Sequence, residues 1–289
     1  MCKDSSHGSK DSYPHGHGII TYPSGYTYCG EWKRGVKHGA GVFQTTDGFV
    51  LYDGEWRNNQ QHGFGVVQLQ DGYTYRGQFH KGWQHGAGVD KSPDGSTYDG
   101  EWKRGKRDGT GVVHQPDGST YAGGLKAGIQ HGAGVQQTPD GFKYDGDWQN
   151  GEKHGRGTEW NSTGVYVGDY EDGKAHGRGL HLSKDNVRYD GGFKADTYHG
   201  CGILEGEDLS SYLDICLENF STAPCKCDGE WMDGILHGWG IITFKNGDQY
   251  QGEWDQSAPR GLGTYTLADG TSYGMQWDGD GELLFLVLD

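Results

Sequence analysis

Along residues 98–103, YDGEWK, large apolar and polar positions alternate: Tyr98, Gly100 and Trp102 share one side of an extended chain, and Asp99, Glu101 and Lys103 the other. Period two marks a strand with one packed face and one wet face. A glycine between two aromatics weakens such a strand unless a ring lies flat over the bare backbone. The stretch that follows, RGKRDG, predicts a turn, and GTGVVHQ a return strand in which Gly109 and Gly111 leave room for rings. Pro116-Asp117-Gly118 then closes the unit with a tight turn. Residues 98–120 therefore predict one β-hairpin.

The same phrase recurs along nearly the whole chain. Tyr-x-Gly openings fall at Tyr28, Tyr52, Tyr75, Tyr98, Tyr121, Tyr144, Tyr166, Tyr189 and Tyr250, with Cys227 in the tyrosine position of one unit. A second signature, His-Gly-x-Gly, follows ten residues into each unit, at His38, His62, His85, His131, His154, His176, His199 and His237. Asp108 and Arg260 replace that histidine in the remaining two. The openings step by 22 to 24 residues, except for one step of 38. A lone hairpin is marginal in water, so each unit needs its neighbours, as in other repeat arrays. The predicted fold is all-β: an elongated, single-layer antiparallel meander of stacked hairpins with one short helical insertion. The expected organisation is a disordered polar N-terminus (1–14), an array of ten units with flanking partial units (15–277, insertion about 205–226), and an apolar capping or docking segment (278–289).

Composition sharpens this picture. Glycine supplies 55 of 289 residues and proline only 7, far from the Gly-X-Y period of collagen. Hydrophobic residues reach only 32%, but 13% aromatics in fixed register predict order. The net charge of −15 disfavours nucleic acid, where phosphate neutralisation supplies most affinity, and an anionic membrane surface. The basic runs 32–38 and 103–107 are expected to be solvated loop tips. No apolar span of membrane length occurs, and the polar start lacks a signal-peptide core, so the expected location is cytoplasmic.

In "YCGEWKRGVKHGAG" (28–41) and "CDGEWMDGILHGWG" (227–240) the chain resembles the MORN repeat (membrane occupation and recognition nexus), Tyr-x-Gly-Glu-Trp-x-x-Gly-x-x-His-Gly-x-Gly, the second departing only at Cys227. The resemblance covers about residues 15–277 and implies an extended sheet of stacked hairpins. It also implies a scaffold, since such arrays occur in ciliary radial spoke heads, cytoskeletal collars, membrane junctions, and beside separate catalytic domains in lipid kinases and a histone methyltransferase. The array is expected to leave no residues of this sequence for such a domain.

The candidate sites follow from the pattern. Trp32, Trp56, Phe79, Trp102, Trp148, Tyr170, Phe193, Trp231 and Trp254 form an aromatic stripe beside the tyrosines, interrupted by Leu125. These rings are expected to pack the sheet, and whatever stays open forms a trough for a partner helix or extended segment. At one per hairpin the histidines are too far apart to share a metal. The glutamates Glu31, Glu55, Glu101, Glu230 and Glu253 are expected on the wet face as solubilising charge. Leu209, Tyr212, Leu213, Cys216 and Phe220 space as a short amphipathic helix capped by Asp208, expected to lie back on the trough. Cys201, Cys216, Cys225 and Cys227 do not match a common zinc spacing. Leu283, Leu284, Phe285, Leu286, Val287 and Leu288 form an apolar end expected to cap the sheet, dock a partner or pair with a second copy. The expectation is a non-enzyme without cofactor or metal, a protein-binding scaffold of a cytoskeletal or ciliary assembly, with membrane tethering through basic loops as the alternative.

Overall fold

The computed structural model describes residues 13–213, 222–278 and 282–287, the last three as backbone only. The chain divides into two compact units, residues 1–140 with 149–151 and residues 141–148 with 152–289. The first carries strands β1 (Gly16–Thr21) to β11 (Ile129–Gln137), the second β12 (Lys143–Gln149) to β23 (Leu283–Val287). Each unit is an open, single-layer antiparallel meander in which successive strands pair, as in β8 (Thr97–Lys103) with β9 (Lys106–His114).

The hairpin turns are shorter than the sequence suggests. Lys103 pairs with Lys106, so only Arg104 and Gly105 loop out, both with positive φ. Two left-handed residues in a row make the primed turn whose twist matches the strands. The stretch taken as the rest of the turn, Lys106 to Gly109, belongs to the return strand instead. The opposite turns behave as expected: the Gly95 N–H donates to the Ser92 carbonyl, and the Asp94 carboxylate accepts the Ser96 N–H.

The His-Gly-x-Gly signature is a break in register. Between β2 (Thr27–Lys33) and β3 (Val36–Gln44), Gly30 faces Gly41 and Trp32 faces Lys37, so His38, Gly39 and Ala40 together stand opposite Glu31. This bulge needs a left-handed residue, and Gly39 supplies it at φ 59°. Glu31 is therefore more than surface charge, because its carboxylate accepts the Ala40 N–H that the bulge leaves without a strand partner (3.0 Å). Glu55 does the same for Phe64 and Glu101 for Thr110. A Cβ on Gly39 would lie 2.5 Å from the Glu31 carboxyl, so a larger residue there would displace that carboxylate from the Ala40 N–H in addition to straining the left-handed backbone.

Of the expected insertion helix, residues 214–221 lie outside the described residues. The described part makes a single turn, with the Leu213 N–H donating to the Leu209 carbonyl and the Asp208 carboxylate accepting the Ser210 N–H. Leu209 and Leu213 are buried, and Leu209 lies beside Val187 at Gly206, so this part folds back onto its own sheet.

Candidate interaction surface

One face of each unit is built from three residues of every Tyr-x-Gly-x-Trp strand. The tyrosine ring lies across two glycines that face each other on neighbouring strands. At Gly30 a Cβ would meet the Gly41 Cα at 2.5 Å and the Tyr28 Oη at 2.6 Å. The tyrosine O–H then donates to a carbonyl three residues on: Tyr28 to Glu31, Tyr52 to Glu55, Tyr98 to Glu101. Burial raises the pKa of these phenols, so the oxygen remains a donor at neutral pH. In the first unit the paired glycines form an unbroken row, Gly18, Gly30, Gly41, Gly54, Gly65, Gly77, Gly88, Gly100, Gly111, Gly123 and Gly134.

The fifth-position ring joins one hairpin to the next. The Trp56 indole N–H donates to the Gly41 carbonyl of the preceding hairpin (2.9 Å), and Trp102 to Gly88 (3.0 Å). Trp231 and Trp254 repeat this in the second unit, to Gly202 and Gly240. Where both neighbouring positions hold rings, the tyrosine also stands edge-to-face between its own ring partner and the next: Tyr52 lies 5.1 Å from Trp56 and 5.3 Å from Phe79. Such pairs contribute about 0.5–1.5 kcal/mol each beyond area burial.

This places the predicted stripe. Trp56, Phe79, Trp102, Trp148, Tyr170, Phe193, Trp231 and Trp254 are 2–7% exposed, while Trp32, at the first full hairpin, is half-buried. The rings are the floor of the sheet, and what faces outward over them is a different set. The residue before the histidine position stands beside the ring layer: Lys37, Gln61, Gln84, Arg107 and Gln130 in the first unit, Lys153, Ala175, Tyr198, Leu236 and Pro259 in the second, of which Ala175, Leu236 and Pro259 are buried. Their registers are those of Lys37 opposite Trp32 and Arg107 opposite Trp102. Sequence reasoning missed this column because its residue types vary; its constant place before His-Gly was the available signal.

The column adjusts to the rings beneath it. Lys37 Nζ lies over the rings of Tyr22, Tyr28, Phe43 and Trp56 at 4.4–5.5 Å, and burial lowers its pKa. Arg107 stacks over Tyr98 at 5.0 Å and pairs with both oxygens of Asp90, which is 3% exposed. Burial pushes the Asp90 carboxyl up, and the guanidinium opposes that shift. Where Cys227 replaces the tyrosine, Leu236 takes over the ring's volume, its Cδ1 3.0 Å from a Cβ built on Gly229. Where Leu125 replaces the tryptophan, a cleft of about 390 Å³ opens between Arg107, Tyr121 and Gln130.

The hairpin-turn edge of the first unit is basic. Lys33, Arg34, Arg57, Lys81, Lys103, Arg104, Lys106 and Lys126 are all exposed there, and the same turns contain no Asp or Glu. Trp83, 60% exposed, lies beside Gly105 on this edge. Lys37 and Arg107, grouped with these cations in the sequence, point into the ring layer instead. The wet face also holds a denser row of imidazoles than one per hairpin. His80, which is outside the His-Gly signature, lies 5.2 Å from His62 and 5.7 Å from His85 by ring centroid. Slight desolvation and these positive neighbours lower its pKa. No cluster of metal-ligating side chains of suitable geometry occurs among the described residues.

At the other end of the chain, β23 (Leu283–Val287) pairs with β22 (Ser272–Trp277), Trp277 facing Leu283 and Gly274 facing Val287. The apolar end thus adds a final strand, with Leu284 52% exposed. Leu288 lies outside the described residues.

A model described as the MORN repeat matches residues 10–25, 28–50, 52–72, 75–97, 98–120, 121–142, 144–165, 166–188, 189–210, 227–249 and 250–272. No curated protein sequence matches the chain. Among solved structures, the wild-type TCP10 domain of Danio rerio CPAP, determined with a peptide of Danio rerio STIL, is similar at 11% identity over 94% of this chain and 99% of that one, with a TM-score of 0.27. A likeness of that degree carries no argument about what this chain binds.

Proposed function

The chain belongs to the MORN-repeat family, and from that premise we propose that it is a non-catalytic scaffold that holds other proteins, in the cytoplasm at a cytoskeletal or ciliary assembly. The cilium and the cytoskeleton rest on the family resemblance. The scaffold itself rests on one observation: a frame of Tyr, Gly and Trp repeats while the column lying over it changes residue by residue. A constant frame carrying a variable row in fixed register is how repeat sheets present a binding surface. At roughly 9–10 Å per hairpin, successive members of the row stand about two turns of an α-helix apart.

A second reading is favoured by the exposed basic edge with Trp83: membrane tethering, in which lysines and arginines meet anionic headgroups and the indole enters the interface. Two sets of variants separate the readings. Gln61→Arg/Gln84→Arg alters the column, and Arg57→Glu/Lys103→Glu/Arg104→Glu reverses the edge, with folding checked by circular dichroism. Cross-linking mass spectrometry of the protein captured from cells should show partner cross-links lost with the column variant and kept with the edge variant. Loss with the edge variant, together with flotation of the intact chain on phosphatidylserine vesicles, would replace the scaffold reading by the membrane one.

A further inference from the structure

The second unit contains a cleft of about 540 Å³ where the column residue is alanine. Ala175 is the smallest side chain of the series, and the space above it lies between Tyr166, Tyr170 and Phe193 below and Lys153, Glu159, His181 and Tyr198 around. This is the size range of small-ligand or side-chain pockets.

The first unit supplies a filled version of the same place. There the column residue is Arg107, opposite Trp102; it stacks on Tyr98, and its carboxylate partner Asp90 stands directly across from Tyr98 in the adjoining strand pair. In the cleft, Ala175 is opposite Tyr170, Tyr166 lies where Tyr98 lies, and Glu159 stands directly across from Tyr166. Ring, facing ring and carboxylate are all present. In place of the guanidinium, the Lys153 ammonium reaches the carboxylate from its own hairpin.

We propose that this cleft receives a guanidinium side chain, an arginine of a partner chain, stacked on Tyr166 and paired with Glu159. The inference rests on the scaffold reading and gives it a specific contact. The charges around the cleft agree with a cationic guest. Glu159 and Asp196 face it against the single ammonium of Lys153, and burial lowers the pKa of His181, whose Nδ1 lies 3.1 Å from the Tyr198 oxygen, keeping that ring neutral near pH 7. Glu159 is held in place by its neighbours: one oxygen accepts from the Asn161 amide (2.8 Å), the other from Lys153 and from the Tyr170 hydroxyl at 3.4 Å. Lys153 is the resident competitor, reaching Glu159 from its own hairpin, with its ammonium 5.1 Å from the Tyr170 ring. A planar guanidinium has the advantage over a second ammonium because it stacks on a ring and forks onto a carboxylate at once.

The test uses the full chain and two probes, the peptides acetyl-Gly-Arg-Gly-amide and acetyl-Gly-Lys-Gly-amide. Ring signals of Tyr166, Tyr170 and His181 are followed by NMR. The arginine peptide should shift them with a dissociation constant on the order of 1 mM. Binding should weaken at least about tenfold, one ionic partner's worth, in Glu159→Gln. The lysine peptide should bind more weakly than the arginine one. Ala175→Arg should abolish binding by filling the cleft from within and should raise Tm, and adding Glu159→Gln should cancel that rise. Binding unchanged in Glu159→Gln, equal binding of the lysine peptide, or a fall in Tm for Ala175→Arg would each overturn the site. The scaffold reading would survive any of these, since its own test is the loss of partner cross-links from the column of the first unit.

Discussion

The row of facing glycines makes a sharp prediction for Gly100→Ala. An added Cβ would lie 2.5 Å from the Tyr98 Oη and 2.6 Å from both the Gly111 Cα and the Thr110 carbonyl oxygen. The phenol end can swing, but two of the three obstacles are backbone of β9, so relief requires separating β8 from β9 by most of an ångström. Overpacking of that kind costs about 1–3 kcal/mol. Displacing Tyr98 also breaks its 2.8 Å hydrogen bond to the Glu101 carbonyl, about 1 kcal/mol. Its edge-to-face contact with Trp102 at 5.5 Å would weaken too, by about 0.5–1.5 kcal/mol. Alanine lowers unfolded-chain entropy by about 0.4–1 kcal/mol in return, leaving a net loss of about 1.5–5 kcal/mol. Gly95→Ala is the control. At φ 94° it carries left-handed strain of about 1–2 kcal/mol, but its Cβ meets only the Pro116 Cγ at 4.0 Å. Urea unfolding followed by tryptophan fluorescence compares the two, with amide exchange of β8 and β9 recording local opening, because repeat arrays need not unfold in one step. A Gly100→Ala loss no larger than that of Gly95→Ala would refute the ring-over-glycine account.

Three further outcomes are expected. Trp102→Phe should cost about 1–3 kcal/mol in the same urea assay, because it leaves the buried Gly88 carbonyl without its 3.0 Å donor; no measurable loss would mean the indole bond between hairpins contributes nothing. Iodoacetamide at pH 8 should modify Cys201, which is exposed, and spare Cys227, which is 0% exposed with its thiol pushed up to about 12 by burial; peptide mapping showing equal modification in the folded protein would contradict that packing. The Asp208 carboxyl should titrate at about 2, held down mainly by hydrogen bonds from Ser210 and further by Lys245. Its folded pKa lies below the ordinary carboxylate value, so its contribution is complete above about pH 4 and is lost as the pH falls towards 2. An NMR midpoint near 4 would show that the Ser210 turn is not formed.

Much of this was legible in the chain because period and position say which residues share a face. The alternation in YDGEW placed Tyr98, Gly100 and Trp102 together, and the glycine between rings already implied a ring over bare backbone. The role of Glu31 was not legible. Its alternation points to solvent, and only the register break opposite His38, Gly39 and Ala40 reveals the N–H that its carboxylate satisfies. The same break moved Lys106 to Gly109 from the turn into a strand, since a His-Gly bulge and a turn use similar residues. The nearness of His80 to His62 and His85 also depends on cross-strand neighbours that lie eighteen residues apart in one case and five in the other.

By itself, then, the sequence determined the hairpin, its repetition and the burial of the aromatic stripe, because these follow from local alternation and turn chemistry that every unit restates. What only the tertiary structure decided is which side chain stands over which: Arg107 over Tyr98 with Asp90 beside it, and an open space over Tyr166 with Glu159 in the corresponding place. Those relations depend on register between strands. A one-residue change in pairing would reverse every face without altering the pattern along the chain.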